Sequence, residues 1–303
     1  MADFDLTRIP SQNGKIAIVT GSNAGLGYEN AKALASKDIL VILACRNHAK
    51  ATSAKESILE EFPTAKIDII LLDLSSLNAV RKFAAEFLYK YSQLDILVNN
   101  AGIMMPPYRK TEDDLESQMA ANCFGHFLLT GLLMDQLLAT ENSRIVWLAS
   151  IAHRNGIINF YDLQSEKEYS KMGAYSQSKL ACLMYAYELQ RRFDGMKTST
   201  ISVAAHPGIS TTELSRHLPS FLMILQPVAK MLVAQSPKDG AEPQIYACLG
   251  DDIVGGDYTG PNGFREFRGR ATKVKSTKAS MDQKIGLQLW EESERITGIK
   301  YPK

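Results

Sequence analysis

The sequence predicts an α/β fold, a single doubly wound parallel sheet with helices on both faces. Three observations carry this. Short apolar runs rich in branched residues recur at Ile16 to Thr20, Ile39 to Ala44, Ile67 to Leu72, Asp95 to Val98, Ile145 to Ala149 and Thr200 to Ala205. Their hydrophobicity is continuous rather than alternating, as strands covered on both faces require. Stretches of helical character separate them, among them Ser76 to Tyr91 and Ala174 to Phe193, and parallel strands need such crossovers. A glycine-rich turn follows the first run.

That turn reads Gly21-Ser22-Asn23-Ala24-Gly25-Leu26-Gly27 and leads into a helical pattern through Ala31 and Leu34. Gly21 permits a tight turn off the strand, Gly25 lets the backbone approach a pyrophosphate, and Gly27 allows close helix–sheet packing. The free N–H groups and positive dipole end of the following helix suit phosphate. At the start of a strand–helix series this is a Rossmann-type dinucleotide site, although such glycines also serve purely conformational ends.

The second run ends Leu43-Ala44-Cys45-Arg46-Asn47. Sites selective for NAD place a carboxylate here on the ribose 2′-hydroxyl. None is present, and Asp38 lies before the strand, at the wrong end of the sheet. Arg46 can instead pair with a 2′-phosphate, so NADP(H) is the expected cofactor.

The fifth run is followed by Ser150, and Ala174 to Phe193 by itself reads as an amphipathic helix. Leu180, Leu183, Met184 and Tyr187 recur at i, i+3, i+4 and i+7. Tyr175 and Lys179, four residues apart, share a face of that helix. A phenol normally holds its proton to about pH 10, and a nearby ammonium favours the phenolate, so such a pair can exchange a proton near neutrality. The stretch Ile151 to Ala174 carries Phe160, Tyr161 and Tyr169 and reads equally well as a substrate wall or a solvated loop. His153 and His206 border these elements and could border substrate, but read rather as structural or solvent-exposed; His126 reads as a helix residue, and none has metal-ligand spacing.

Composition narrows the partners. A net charge of +1 gives no electrostatic case for nucleic acid. Cys45, Cys123, Cys182 and Cys248 lie far apart, which argues against a metal site or disulfide framework and for reduced thiols in the cytoplasm. The chain opens without a signal-peptide pattern. Leu218 to Ala234 is apolar but broken by Pro219, Pro227 and Lys230, a poor membrane span. A substrate lid around residues 209–236 is the preferred reading, with a lipid-binding surface as the alternative. The basic run Arg265 to Lys278 is expected to be a solvated surface. No repeat or linker divides residues 1–303, so one dinucleotide-binding and catalytic domain is expected, and a homodimer stays open.

The ordered set Thr20-Gly21-xxx-Gly25-x-Gly27, Asp73-Leu74, Asn99-Asn100-Ala101-Gly102, Asn122, Ser150, Tyr175-xxx-Lys179 and Pro207-Gly208 resembles the classical short-chain dehydrogenases/reductases from about Lys15 to Thr212. Ala44-Cys45-Arg46-Asn47, Ala152-His153, His206-Pro207-Gly208, Thr212-Glu213-Leu214, Gly255-Gly256-Asp257-Tyr258-xx-Pro261-x-Gly263 and Leu289-Trp290 look like the retinol-dehydrogenase-like branch. The resemblance implies that Tyr175 transfers the proton, Lys179 supports it and holds the nicotinamide ribose, and Ser150 hydrogen-bonds the substrate oxygen. It further implies that Asn122 connects Lys179 to a water chain through its backbone. By the same resemblance Asp73 contacts adenine, Leu74, Asn100, Ala101 and Gly102 line the adenosine side, and Pro207, Gly208, Ile209 and Thr212 flank the nicotinamide. The sequence departs from many members in having Ala149 before Ser150 and a long Ile151 to Ala174 stretch. An apolar carbonyl or alcohol is the expected substrate. The alternative is a catalytically silent NADP(H)-binding sensor or scaffold, against which the presence of Asn122, Ser150, Tyr175 and Lys179 argues.

Overall fold

A computed structural model of the chain describes residues 4–210 and 235–302. The six apolar runs form β1 (Ile16–Thr20), β2 (Leu40–Cys45), β3 (Ile67–Leu71), β4 (Ile96–Asn99), β5 (Arg144–Leu148) and β6 (Ile201–Ala205), within a residue or so of the expected limits. Two further strands, β7 (Tyr258–Pro261) and β8 (Ala271–Lys273), extend the sheet. Its order is β3-β2-β1-β4-β5-β6-β7-β8, parallel throughout except between β7 and β8. The lid expected around 209–236 falls largely on residues outside the described set.

Crossovers are supplied by α1 (Gly25–Ala35), α2 (His48–Glu61), α3 (Leu77–Lys90), α4 (Ser117–Met119), α5 (Gly125–Leu132), α6 (Met134–Ala139), α7 (Lys171–Met196) and α8 (Pro237–Leu249), and α9 (Gln283–Thr297) follows the last strand. Strand residues alternate between two cores, which explains the continuous apolar runs. Ile18 and Ile42 pack under α3, α5, α7 and α9, while Ala17, Val19, Val41 and Leu43 pack under α1, α2 and α8.

The basic run is not one solvated face. Its middle is β8, where Ala271 is buried and Lys273 pairs with Asp257 at 2.8 Å. A three-residue edge strand leaves too short an apolar pattern to be read from sequence.

Between α4 and α5, Ala120–Phe124 forms a π-helical turn. His126, just beyond it, is buried, and its Nδ1 lies 3.1 Å from the Asn122 carbonyl. A carbonyl only accepts, so Nδ1 carries the hydrogen and Nε2 accepts from the Thr20 hydroxyl at 2.9 Å. Burial pushes His126 down to about 3 and His153 to about 4, and it also lowers His206.

Phe127 is fully buried against Tyr185, Trp290 and Tyr301, with ring centroids 5.0, 4.8 and 4.9 Å away. Phe127→Ala should cost about 3–5 kcal/mol, read from the urea midpoint, because this ring joins α5, α7 and α9. The histidines set the pH response. The unfolded chain binds protons below 6.5 that the folded protein refuses, so stability should fall as pH drops from 6.5 toward 4. Urea midpoints across that range should show the decline, with a shallower slope in His126→Gln; a flat profile would overturn the neutral assignment.

Candidate active site

The turn after β1 is built from backbone that side chains would obstruct. Gly21 and Gly25 adopt φ of +66° and +58°. A Cβ on Gly27 would lie 2.3 Å from the Gly21 carbonyl oxygen, so α1 can approach this closely only as glycine.

The start of α1 differs from that of the other long helices. Asn47, Ser76, Ser170, Ser236 and Asp282 cap α2, α3, α7, α8 and α9 with side-chain acceptors. Ala24 caps α1 and offers none. Its first-turn amides therefore face a cleft of about 430 Å³ as donors without a side-chain acceptor. Donors left this way at a positive helix end, in a turn that glycine keeps open, fit a bound pyrophosphate.

Most of the residues expected to hold a dinucleotide line this cleft, namely Gly21, Asn23, Gly25, Leu26, Gly27, Arg46, Asp73, Leu74, Asn100, Ala101 and Gly102. Ser22 is buried behind the turn and does not. Asp73 accepts from the Ser75 amide and hydroxyl at 2.9 and 2.6 Å, which fixes the bend after β3. Asn100 donates its side-chain amide to the Thr20 carbonyl at 2.7 Å. Arg46 is joined on the cleft wall by Lys50, one turn later in α2, and among the described residues neither meets a carboxylate. Lys50 was not singled out from the sequence; its four-residue spacing from Arg46 at a helix start was the available signal.

Asn122, Ser150, Tyr175 and Lys179 do not line the cleft; Lys179 and Asn122 stand behind its Gly102, with Tyr175 beside Lys179. Lys179 on α7 is buried, donates Nζ to the Leu148 carbonyl at 2.9 Å, and lies 5.9 Å from the Tyr175 ring centre. Gly102 sits against it, since a Cβ there would come within 3.5 Å of Nζ and 3.1 Å of Asn122 Oδ1. Asn122 accepts from the Ile103 amide at 2.8 Å and donates to the Ile103 carbonyl and Ser178 hydroxyl. Its own carbonyl takes His126 Nδ1 and the Cys182 thiol. Ser150 Oγ accepts the Ala152 amide at 3.2 Å, which leaves the hydroxyl hydrogen free to point elsewhere. The chain after Ser150 is drawn onto α7 at Gly156, where a Cβ would stand 2.5 Å from the Ser176 carbonyl oxygen.

Other expected positions are less directly joined to the cleft. Pro207, Gly208 and Ile209 follow β6 at the same C-terminal edge of the sheet without lining it, and Thr212 lies outside the described residues. In the long stretch before α7, Tyr169 is anchored, its hydroxyl donating to the Pro106 carbonyl and accepting from Gln118. Tyr161 is 93% exposed, whereas Phe160 packs on the core.

A family model described as short chain dehydrogenase matches residues 15–221. The chain is 39% identical over 296 residues to human retinol dehydrogenase 13, covering 95% of this chain and 86% of that one. It is 38% identical over 304 residues to a polyprenol dehydrogenase of Danio rerio, covering 98% and 91%. Among solved structures, an uncharacterised protein from Mycobacterium paratuberculosis superposes over 100% of both chains with a TM-score of 0.83 and 33% identity. With the model spanning most of the sheet and relatives of this identity along nearly the whole length, the chain belongs to the short-chain dehydrogenase family.

Proposed function

We propose that this oxidoreductase uses NADP(H) to interconvert an apolar carbonyl compound and its alcohol. The observation that carries the reading is the uncapped start of α1, opening on a cleft walled by Arg46 and Lys50, whose Gly102 lies against buried Lys179. Two cations without a carboxylate partner among the described residues suit a 2′-phosphate, where an acid would suit a free ribose hydroxyl. The eight strands among the described residues share one sheet, which supports reading residues 1–303 as one dinucleotide-binding and catalytic domain. The apolar stretch Leu218 to Ala234 and two relatives named for long apolar alcohols, retinol and polyprenol, support the substrate class.

When bound, the nicotinamide supplies or takes up the hydride. In the reductive direction the Tyr175 hydroxyl gives its proton to the carbonyl oxygen, and the Lys179 ammonium stabilises the phenolate left behind. Ser150, with one lone pair held by Ala152, donates its hydrogen to the same oxygen and opposes the charge growing there. Asn122 contributes through its side chain, which pins Ile103 and so holds Gly102 against Lys179. Oxidation of the alcohol runs these steps in reverse.

NADPH consumption by the purified protein over aliphatic, aromatic and polyene carbonyls tests the reading. Tyr175→Phe should lose about 100-fold or more in kcat, the scale of one lost proton donor. Full turnover in that variant, or turnover of small charged carbonyls alone, would contradict the assignment. Arg46→Asp should shift preference toward NADH, and Lys50→Ala should raise KM for NADPH while leaving KM for NADH unchanged. A preference for NADPH indifferent to both changes would overturn the phosphate reading.

A further inference from the structure

The short turn Phe264–Glu266 between β7 and β8 is wedged against the segment that follows β6. Arg265 and Glu266 adopt φ of +51° and +60°, two consecutive left-handed residues of which neither is glycine. Such backbone persists only where its surroundings hold it. Here they do. The Phe267 carbonyl accepts the Ile209 amide at 2.7 Å and closes to 2.4 Å on the position a Gly208 Cβ would take. Arg154 Nη1 reaches the Arg265 carbonyl at 3.4 Å.

Glu266 is the centre of this arrangement. One of its oxygens, Oε2, meets Arg154 at 2.7 Å and His206 Nε2 at 3.0 Å. The Gly208 amide donates to His206 Nδ1 at 3.2 Å, so Nε2 carries the ring hydrogen and donates it to Glu266. His206 is fully buried, with no room to swing, because a Cβ at Gly260 would already lie 2.1 Å from its Nε2. Arg154 adjoins His153, which hydrogen-bonds the Ser150 carbonyl through Nδ1 at 2.6 Å. Both imidazoles pack on the Tyr258 ring, at 5.7 and 5.1 Å. One carboxylate thus ties the turn bearing Ser150 to the turn bearing Gly208.

We infer that Glu266 is a positioning residue: through His206 and Arg154 it fixes the Pro207–Ile209 segment relative to Ser150, and so the depth at which the nicotinamide end of the cofactor seats. This rests on the dinucleotide reading above. It concerns only the nicotinamide end, since the cleft walls near Arg46 and Lys50 belong to other elements. Glu266 never touches the reacting atoms; it acts through residues that border them.

Calorimetric titration with NADP⁺ and with 2′,5′-ADP, which carries the adenosine end alone, separates the two ends. Glu266→Ala should weaken NADP⁺ about tenfold, on the scale of one charge-assisted hydrogen bond, while 2′,5′-ADP keeps its affinity. Glu266→Gln retains an oxygen that can accept from both His206 and Arg154, and its NADP⁺ affinity should fall between the two proteins. Equal weakening of both ligands, no weakening of either, or a Gln variant no better than Ala would each overturn the inference. If wild-type protein bound neither ligand, the dinucleotide reading itself would fall and the positioning role with it.

Discussion

The hydroxyl of Thr20 is the joint on which the site is assembled. It accepts the backbone amides of Asn100 and Ala101, both at 2.9 Å, and it donates to His126. His126 passes the constraint to the Asn122 carbonyl, and the Asn122 side chain passes it to Ile103. Thus the end of β1, the end of β4 and the π turn are tied through one oxygen, all at the point where the sheet order departs to either side of β1. That departure is where open parallel sheets form a crevice at the C-terminal ends of their strands. The link to His126 holds only while the ring is neutral, because a protonated Nε2 could not accept from Thr20, whose hydrogen would be left to the Val98 carbonyl at 3.2 Å. Burial keeps the ring neutral.

Around this joint the fold leaves polar groups incompletely satisfied where a ligand can complete them. The chain caps its other long helices with Asn, Ser or Asp, so the alanine before α1 is not for want of suitable residues. The usual gain from a cap, about 1 kcal/mol, is forgone at α1, whose first residues line the cleft. Arg46 and Lys50 stand together at the same wall in the same condition, like charges one turn apart without an acid between them.

Much of this was legible in the sequence. The six strands could be read because each is buried on both faces and therefore continuously apolar, and the glycine turn because Gly21, Gly25 and Gly27 leave little conformational alternative. β7 and β8 escaped that reading. Tyr258–Pro261 and Ala271–Lys273 are short, one ends in proline, and their burial depends on packing from α8 and β6 rather than on a pattern of their own. Thr20, His126 and Lys50 escaped as functional positions for another reason. A threonine at a strand end, a histidine in a helix and a lysine on a helix surface look ordinary until the topology brings β1, α5 and α2 to one edge. Glu266 was hidden most completely, because the run Arg265 to Lys278 reads as basic and its single carboxylate acts on residues 60 and 112 positions away in the chain.

The buried ammonium of Lys179 is costly to hold and fits the proposed chemistry better than a purely structural role. Taking an ammonium out of water is costly unless an anion or good acceptors receive it. Here one backbone carbonyl, that of Leu148, receives it, and among the described residues no carboxylate pairs with it. A paired carboxylate would have made the site more comfortable at rest and would have cancelled the field that the proposed loss of a phenolic proton needs. Gly102 keeps the face beside Nζ clear, since any side chain there would crowd both Lys179 and Asn122. The positive charge is thus held in place 5.9 Å from the Tyr175 ring centre, where the proposed phenolate would complete its balance. The fold tolerates the imbalance because α7 is packed along nearly its whole length, and that packing holds Tyr175 and Lys179 on one face one turn apart.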